Sequence, residues 1–115
     1  MNIKTRLTKE QCSRLADFGL HSDRWTSFRN EQGFNETYEY FTFTDLLEIL
    51  PKVIIYKDCR SWFTIMWNHR YRSWDVGYMY GVGFWKDLKF SSEDLIVAIY
   101  NLVCYYYGEL KVKEK

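Results

Sequence analysis

One residue in five of this 115-residue chain is Phe, Tyr or Trp, and that density limits the fold more than any motif does. Each such side chain brings roughly 150–250 Å² of surface that is better buried, while a chain this short builds only a small interior. Two arrangements can accommodate the rings. A sheet can hide one set of alternating side chains behind helices, or a surplus can stay outside and mark where another molecule sits. Six Gly and one Pro interrupt the chain and hydrophobic residues reach 47%, which excludes collagen-like, low-complexity and disordered classes. A single domain over residues 1–115 is expected.

Thr8 and Gln11 stand at capping-box spacing, in which the hydroxyl accepts from the third helical amide and the Gln side chain reaches back. Leu15 and Phe18 follow at helical spacing and Gly19 can take the left-handed stop conformation, so the spacing predicts a helix over about 9–18. Residues 20–33 read as an irregular loop folded back on the core, because Trp25 and Phe28 do not suit a free linker. A strand is expected near 36–42, with Tyr38 and Tyr40 on one face and Phe41 and Phe43 on the other. Thr44 is expected to cap a short helix carrying Asp45 and Glu48 in its first turn, ended by Pro51.

Val53–Tyr56 and Trp62–Trp67 are β-branched and aromatic and are joined by the polar stretch Lys57-Asp58-Cys59-Arg60, a hairpin pattern. Trp74–Tyr80 alternates with period two, and Gly81 and Gly83 break the pattern before Phe84 and Trp85, where a turn or bulge is expected. Ser91-Ser92-Glu93-Asp94 opens a helix of roughly 15 residues that Gly108 should stop. Its apolar surface is broad: Leu95, Ile99, Leu102 and Tyr106 form one stripe, and Ile96, Tyr100, Val103 and Tyr107 a second. The 20–33 loop or another subunit should cover the second stripe. The charged end at 111–115 reads as solvated. The pattern gives an α+β fold, an antiparallel sheet of about four strands with an N-terminal helix, a short inserted helix and a long C-terminal helix packed on one face.

Charge and cysteine usage remove several functions. Residues 1–57 carry eight basic and eight acidic groups and residues 58–115 carry eight and seven, so no long-range field holds nucleic acid or a membrane surface. Cys12, Cys59 and Cys104 are odd in number and widely spaced, which points to reduced thiols in the cytoplasm rather than a disulfide framework, and no spacing suggests zinc. Residues 1–6 lead into a polar amphipathic stretch rather than an apolar run, so no signal peptide is expected. Cys59 and His69 flank one predicted strand, but at about 3.3 Å per residue they fall at opposite ends of it, too far apart for a catalytic dyad. The pairs Asp45/Glu48 and Glu93/Asp94 are accounted for by helix dipoles, and Gly81-Val82-Gly83 lacks the remainder of a phosphate-binding loop. The sequence therefore suggests no enzyme, cofactor or metal.

The stretch Thr44-Asp45-Leu46-Leu47-Glu48-Ile49-Leu50-Pro51-Lys52, with the later Trp74-x-Val76-x-Tyr78 strand and the acid-started helix ending at Gly108-Glu109-Leu110, resembles small uncharacterised proteins of Bacteroides-type bacteria and their phages or integrated elements. The likeness spans roughly residues 12–110 and implies an origin rather than a reaction. The aromatic richness of 60–85 departs from it.

Two clusters could carry function. Within 60–74 there are three Arg and no acid, and Arg60, His69, Arg70, Tyr71 and Arg72 could hold phosphates and stack on single-stranded bases. The alternative places Arg70 and Arg72 at a hairpin tip with their stems packed on neighbouring rings. The favoured reading rests on parity: Phe63, Ile65 and Trp67 compete with Trp62 and Met66 for the interior, and one helix covers one face. Trp62, Phe63, Trp67, Trp74, Tyr100 and Tyr107 are the candidate interaction surface, the expected partner being a protein or a second copy of the chain, with nucleic acid as the alternative and no membrane.

Overall fold

Two antiparallel sheets and one broad helix dominate the architecture of the computed structural model, which describes residues 6–81 and 83–110. The expected solvated end at 111–115, the start of the chain through residue 5, and Val82 lie outside the described residues. Helix α1 (Lys9–Asp17) leads to a hairpin of β1 (Trp25–Arg29) and β2 (Asn35–Glu39), followed by α2 (Phe43–Ile49). Strands β3 (Val53–Tyr56), β4 (Cys59–Asn68), β5 (Ser73–Tyr80) and β6 (Gly83–Ser92) then form a meander, closed by α3 (Leu95–Tyr105) and a wider π-helical turn at Tyr106–Leu110. The fold is α+β, with two antiparallel sheets ordered β1-β2 and β3-β4-β5-β6.

Local chemistry explains the start of each early helix. At α1 the Thr8 hydroxyl accepts from the Gln11 N–H at 3.1 Å while the Thr8 N–H donates to Gln11 Oε1 at 2.8 Å, the reciprocal cap expected from the spacing. Gly19 follows at φ 82°. The cap of α2 is Thr42 rather than Thr44: its hydroxyl accepts from the Asp45 N–H and its own N–H donates to Asp45 Oδ2 at 2.8 Å. Asp45 is thereby third in the helix, close enough to reach back over the cap.

Four further expectations are corrected. Residues 25–29 of the supposed loop are strand β1, paired Trp25↔Glu39 through Arg29↔Asn35, and β2 ends at Glu39 instead of 42. Residues 83–92 form a full fourth strand of the main sheet, with a register irregularity between Gly77 and Met79 where β6 carries extra residues. Gly108 does not stop the last helix. It lies inside the π-helical turn without a positive φ, and a Cβ there would sit 3.3 Å from the Phe18 ring, so its smallness serves the approach of α1.

The core forms where α3 crosses β5 and β6. Val76, Tyr78 and Leu88 on the sheet and Ile96, Ile99, Leu102 and Val103 on the helix are almost fully buried. Both apolar stripes of α3 are used, the second against the N-terminal elements. α2 packs on α3, and Cys12 of α1 and Tyr100 of α3 are buried in the same core cluster. A helix apolar nearly all round is stable only when enclosed in this way. Two long tethers fix α2 over the sheet: Tyr78 donates to the Pro51 carbonyl at 2.8 Å and Tyr107 to the Ile49 carbonyl at 2.7 Å.

Candidate functional site

Strand pairing settles which rings the helices can reach. Directly opposed residues share a face, and the register opposes Phe63 to Tyr78 and Ile65 to Val76 on the side where α3 lies. The neighbours of opposite parity face away: Val53 opposes Trp62, Trp62 opposes Met79, and Met79 opposes Phe84. Phe63 and Ile65 thus win the interior, and Trp62 and Met66 are left outside. Among the described residues no helix packs on that second face.

The exposed face is apolar across one half. Ile55 is 58% exposed, Trp62 49%, Met66 48% and Val53 42%, leaving roughly 400 Å² of apolar side chain in water, within the ~300–600 Å² of the largest and often functional patch on a typical monomer. Toward the β4–β5 turn the same face becomes polar, where Asp75 accepts from the Ser91 hydroxyl at 2.6 Å and from Asn68 Nδ2 at 3.2 Å. Arg60 lies at the opposite margin, across from Ile55. An apolar centre with polar ends is the anatomy of a protein-binding patch.

The six residues expected to share an interaction surface are not brought together. Trp62 alone sits on the open face. Phe63 lies on the covered face with its ring 6.0 Å from Tyr78. Trp67 and Trp74 oppose each other at the far end of the hairpin, edge to face at 5.1 Å. Tyr100 is only 7% exposed, and burial with Cys104 alongside pushes its phenol up to about 12. Tyr107 is held by its bond to Ile49. In their place the face adds Val53, Ile55 and Met66, which as aliphatic residues gave no ring signal and could have been found only by fixing the parity of β3 and β4.

The basic cluster is divided as well. Arg60 lies near the start of β4 while His69, Arg70, Tyr71 and Arg72 form the turn after it, a separation of roughly 30 Å at about 3.3 Å per residue. That turn has a local cause, since Asn68 Oδ1 accepts from the Arg70 and Tyr71 N–H groups at 3.1 and 3.3 Å and Arg72 takes φ 49°. Arg70 stacks over Tyr71 at 5.5 Å.

Buried polar groups elsewhere are committed to the scaffold. Glu39 Oε2 accepts from the Ser22 and Asp23 N–H groups at 2.7 and 2.8 Å, and Oε1 lies 3.0 Å from His21 Nδ1. Burial works to raise this carboxyl, but the Asp23, His21 and Ser22 bonds outweigh it and hold it below the usual range. Asp45 is similar: burial is outweighed by the Thr42 N–H and hydroxyl and by Arg24 Nε at 3.0 Å. Ser22 turns its hydroxyl to the Tyr40 carbonyl rather than to His21. Burial raises the Cys12 and Cys104 thiols, which disfavours nucleophilic thiolate, while Cys59 is exposed. Among the described residues no group of three or more His, Cys, Asp or Glu could hold a metal, and no helix is long and apolar enough to cross a membrane.

The fold and the site define an α+β domain whose main sheet is helix-covered on one face and apolar on the other. Comparison with protein-family models, curated proteins and solved structures gives no match.

Proposed function

We propose that this chain is a protein-interaction module of the cytoplasm that binds through the open face of its four-stranded sheet. The observation that carries the reading is the placement of Val53, Ile55, Trp62 and Met66 on one uncovered face. Burying such a patch removes apolar surface from water, and a half-exposed Trp at its centre is the residue type most often found to dominate binding energy. The even charge balance means that shape and apolar contact, rather than long-range attraction, select the partner. The separation of Arg60 from His69, Arg70, Tyr71 and Arg72 favours this reading over the single-stranded nucleic-acid alternative.

Photocrosslinking in the producing cells tests the reading. A benzophenone side chain at position 62 should yield an adduct of defined mass, absent when the probe replaces Glu31 at the other hairpin and lost when Val53→Lys is added. Equal yields at 62 and 31, or none at either, would overturn it.

A further inference from the structure

We infer that strand β3 is a docking edge for a second copy of this chain, the two edges pairing antiparallel about a two-fold axis at Ile54; this rests on the interaction reading, whose open face the pairing enlarges. The turn Lys57-Asp58 places both central residues at positive φ, 48° and 64°, so Tyr56 and Cys59 form the first hydrogen-bonded pair of the hairpin. Bonded and non-bonded pairs then alternate. Ile54 bonds inward to Ser61, and the Phe63 N–H donates to the Lys52 carbonyl at 2.9 Å, in phase with that alternation. Val53 and Ile55 must therefore aim their N–H and C=O groups away from β4, along the edge of the sheet.

The two edges of the sheet are treated differently. β6 is protected by its register irregularity and by Lys86, Asp87 and Lys89, the devices that keep an edge from recruiting another strand. β3 is Val-Ile-Ile-Tyr with no charge inside it. Beside it runs an open groove of about 490 Å³ lined by Val53, Ile54, Ile55 and Tyr106.

Self-pairing satisfies this edge without conflict. The two-fold places Val53 of one copy opposite Ile55 of the other and Ile54 opposite Ile54, forming about four new backbone hydrogen bonds. Lys52 then faces Tyr56 and Lys57 faces Pro51, so no lysine opposes another. Val53 and Ile55 of both copies meet on the open face, joining two patches into one of roughly 800 Å² across an eight-stranded sheet. Two four-residue strands bury less than the ~1,200 Å² of a standard interface, which calls for a weak, concentration-dependent dimer.

Sedimentation velocity of the full chain, from low micromolar to near-millimolar, measures this. The wild type should shift from monomer to dimer across the range. Ile55→Pro removes an outward amide and no bond within the sheet, and should weaken dimerisation by about tenfold or more, whereas Trp62→Thr, on an inner strand, should weaken it by only ~2–3-fold. If Ile55→Pro fails to fold, Ile55→Lys takes its place, and a nitroxide on the exposed Cys59 gives an independent reading: strand spacing and rise put the two labels about 20 Å apart in the edge-paired dimer. A wild type that stays monomeric, an Ile55→Pro chain that dimerises undiminished, or a label distance far from 20 Å would each refute edge pairing. A monomer that still crosslinks another protein through position 62 would sink this inference and leave the interaction reading standing.

Discussion

Glu39 is where a single atom's worth of change should be felt most clearly. Its carboxylate is almost fully buried and accepts two backbone N–H groups on one oxygen and lies within hydrogen-bond distance of His21 on the other, which holds the approach to β1, including Asp23 at φ 62°. Bonds to a charged acceptor contribute about 1.5–3 kcal/mol each, but the two amides share Oε2 and the His21 side chain is largely exposed, so the His21 bond adds little. Glu39→Ala should cost about 2–3 kcal/mol, and Glu39→Gln, whose amide oxygen can still accept both N–H groups, about 1 kcal/mol. The sign of the pH dependence follows from the lowered carboxyl. A folded-state pKa below the unfolded value contributes stability that is complete above the unfolded pKa, about 4.3 for Glu, and is lost as pH falls through the folded value. Urea unfolding followed by Trp fluorescence at pH 7 and at steps down to pH 3 should therefore show the gap between wild type and Glu39→Gln closing with acid. A Glu39→Ala chain within ~0.5 kcal/mol of wild type, or a Glu39→Gln gap unchanged with pH, would refute the assignment.

Two further changes probe the main sheet. Gly77→Ala would place a Cβ 2.1 Å from the Leu88 carbonyl oxygen and 3.0 Å from Lys89 Cα; backbone cannot yield as a side chain would, so urea unfolding should show a loss of at least about 3 kcal/mol, and tolerance would mean that β6 does not cross there. Asp58→Gly relieves a non-glycine residue at φ 64° in the β3–β4 turn and should stabilise the protein by about 0.5–1 kcal/mol in the same assay; a lowered urea midpoint would contradict the turn geometry.

Elements whose cause is local were readable from the chain. The Thr8/Gln11 cap, the β3–β4 hairpin and the presence of an apolar terminal helix follow from neighbours within a few residues, but its ends do not: Ser91 and Ser92 belong to β6, Asp94 stands at the cap without a side-chain bond, and no acid lies in the first turn. β1 was not readable, because Trp-Thr-Ser-Phe-Arg is a weak strand on its own and its entry at Ser22 and Asp23 depends on Glu39, 16 to 17 residues downstream. β6 was obscured by Lys86 and Asp87, which interrupt the alternation where the strand carries its extra residues. Thr42 and Thr44 both precede Asp45, and only the hydroxyl bonded to the Asp45 N–H distinguishes them. At the site, Trp62 could be singled out but its companions could not. Adjacent aromatics on β4 point to opposite faces, and the side on which α3 lies is decided by packing distant in sequence. Rings drew attention to Phe63 and Tyr100, which the core consumes, and away from Val53 and Ile55, which it leaves outside.

Hydroxyl-radical footprinting of the full chain, read residue by residue by mass spectrometry, tests the open face most directly. In dilute protein Trp62 and Met66 should oxidise about as fast as the exposed Tyr71, while Tyr78 and Phe41 stay protected. Trp62 and Met66 as slow to react as Tyr78 at the lowest concentration would mean that both faces of the sheet are covered within one molecule.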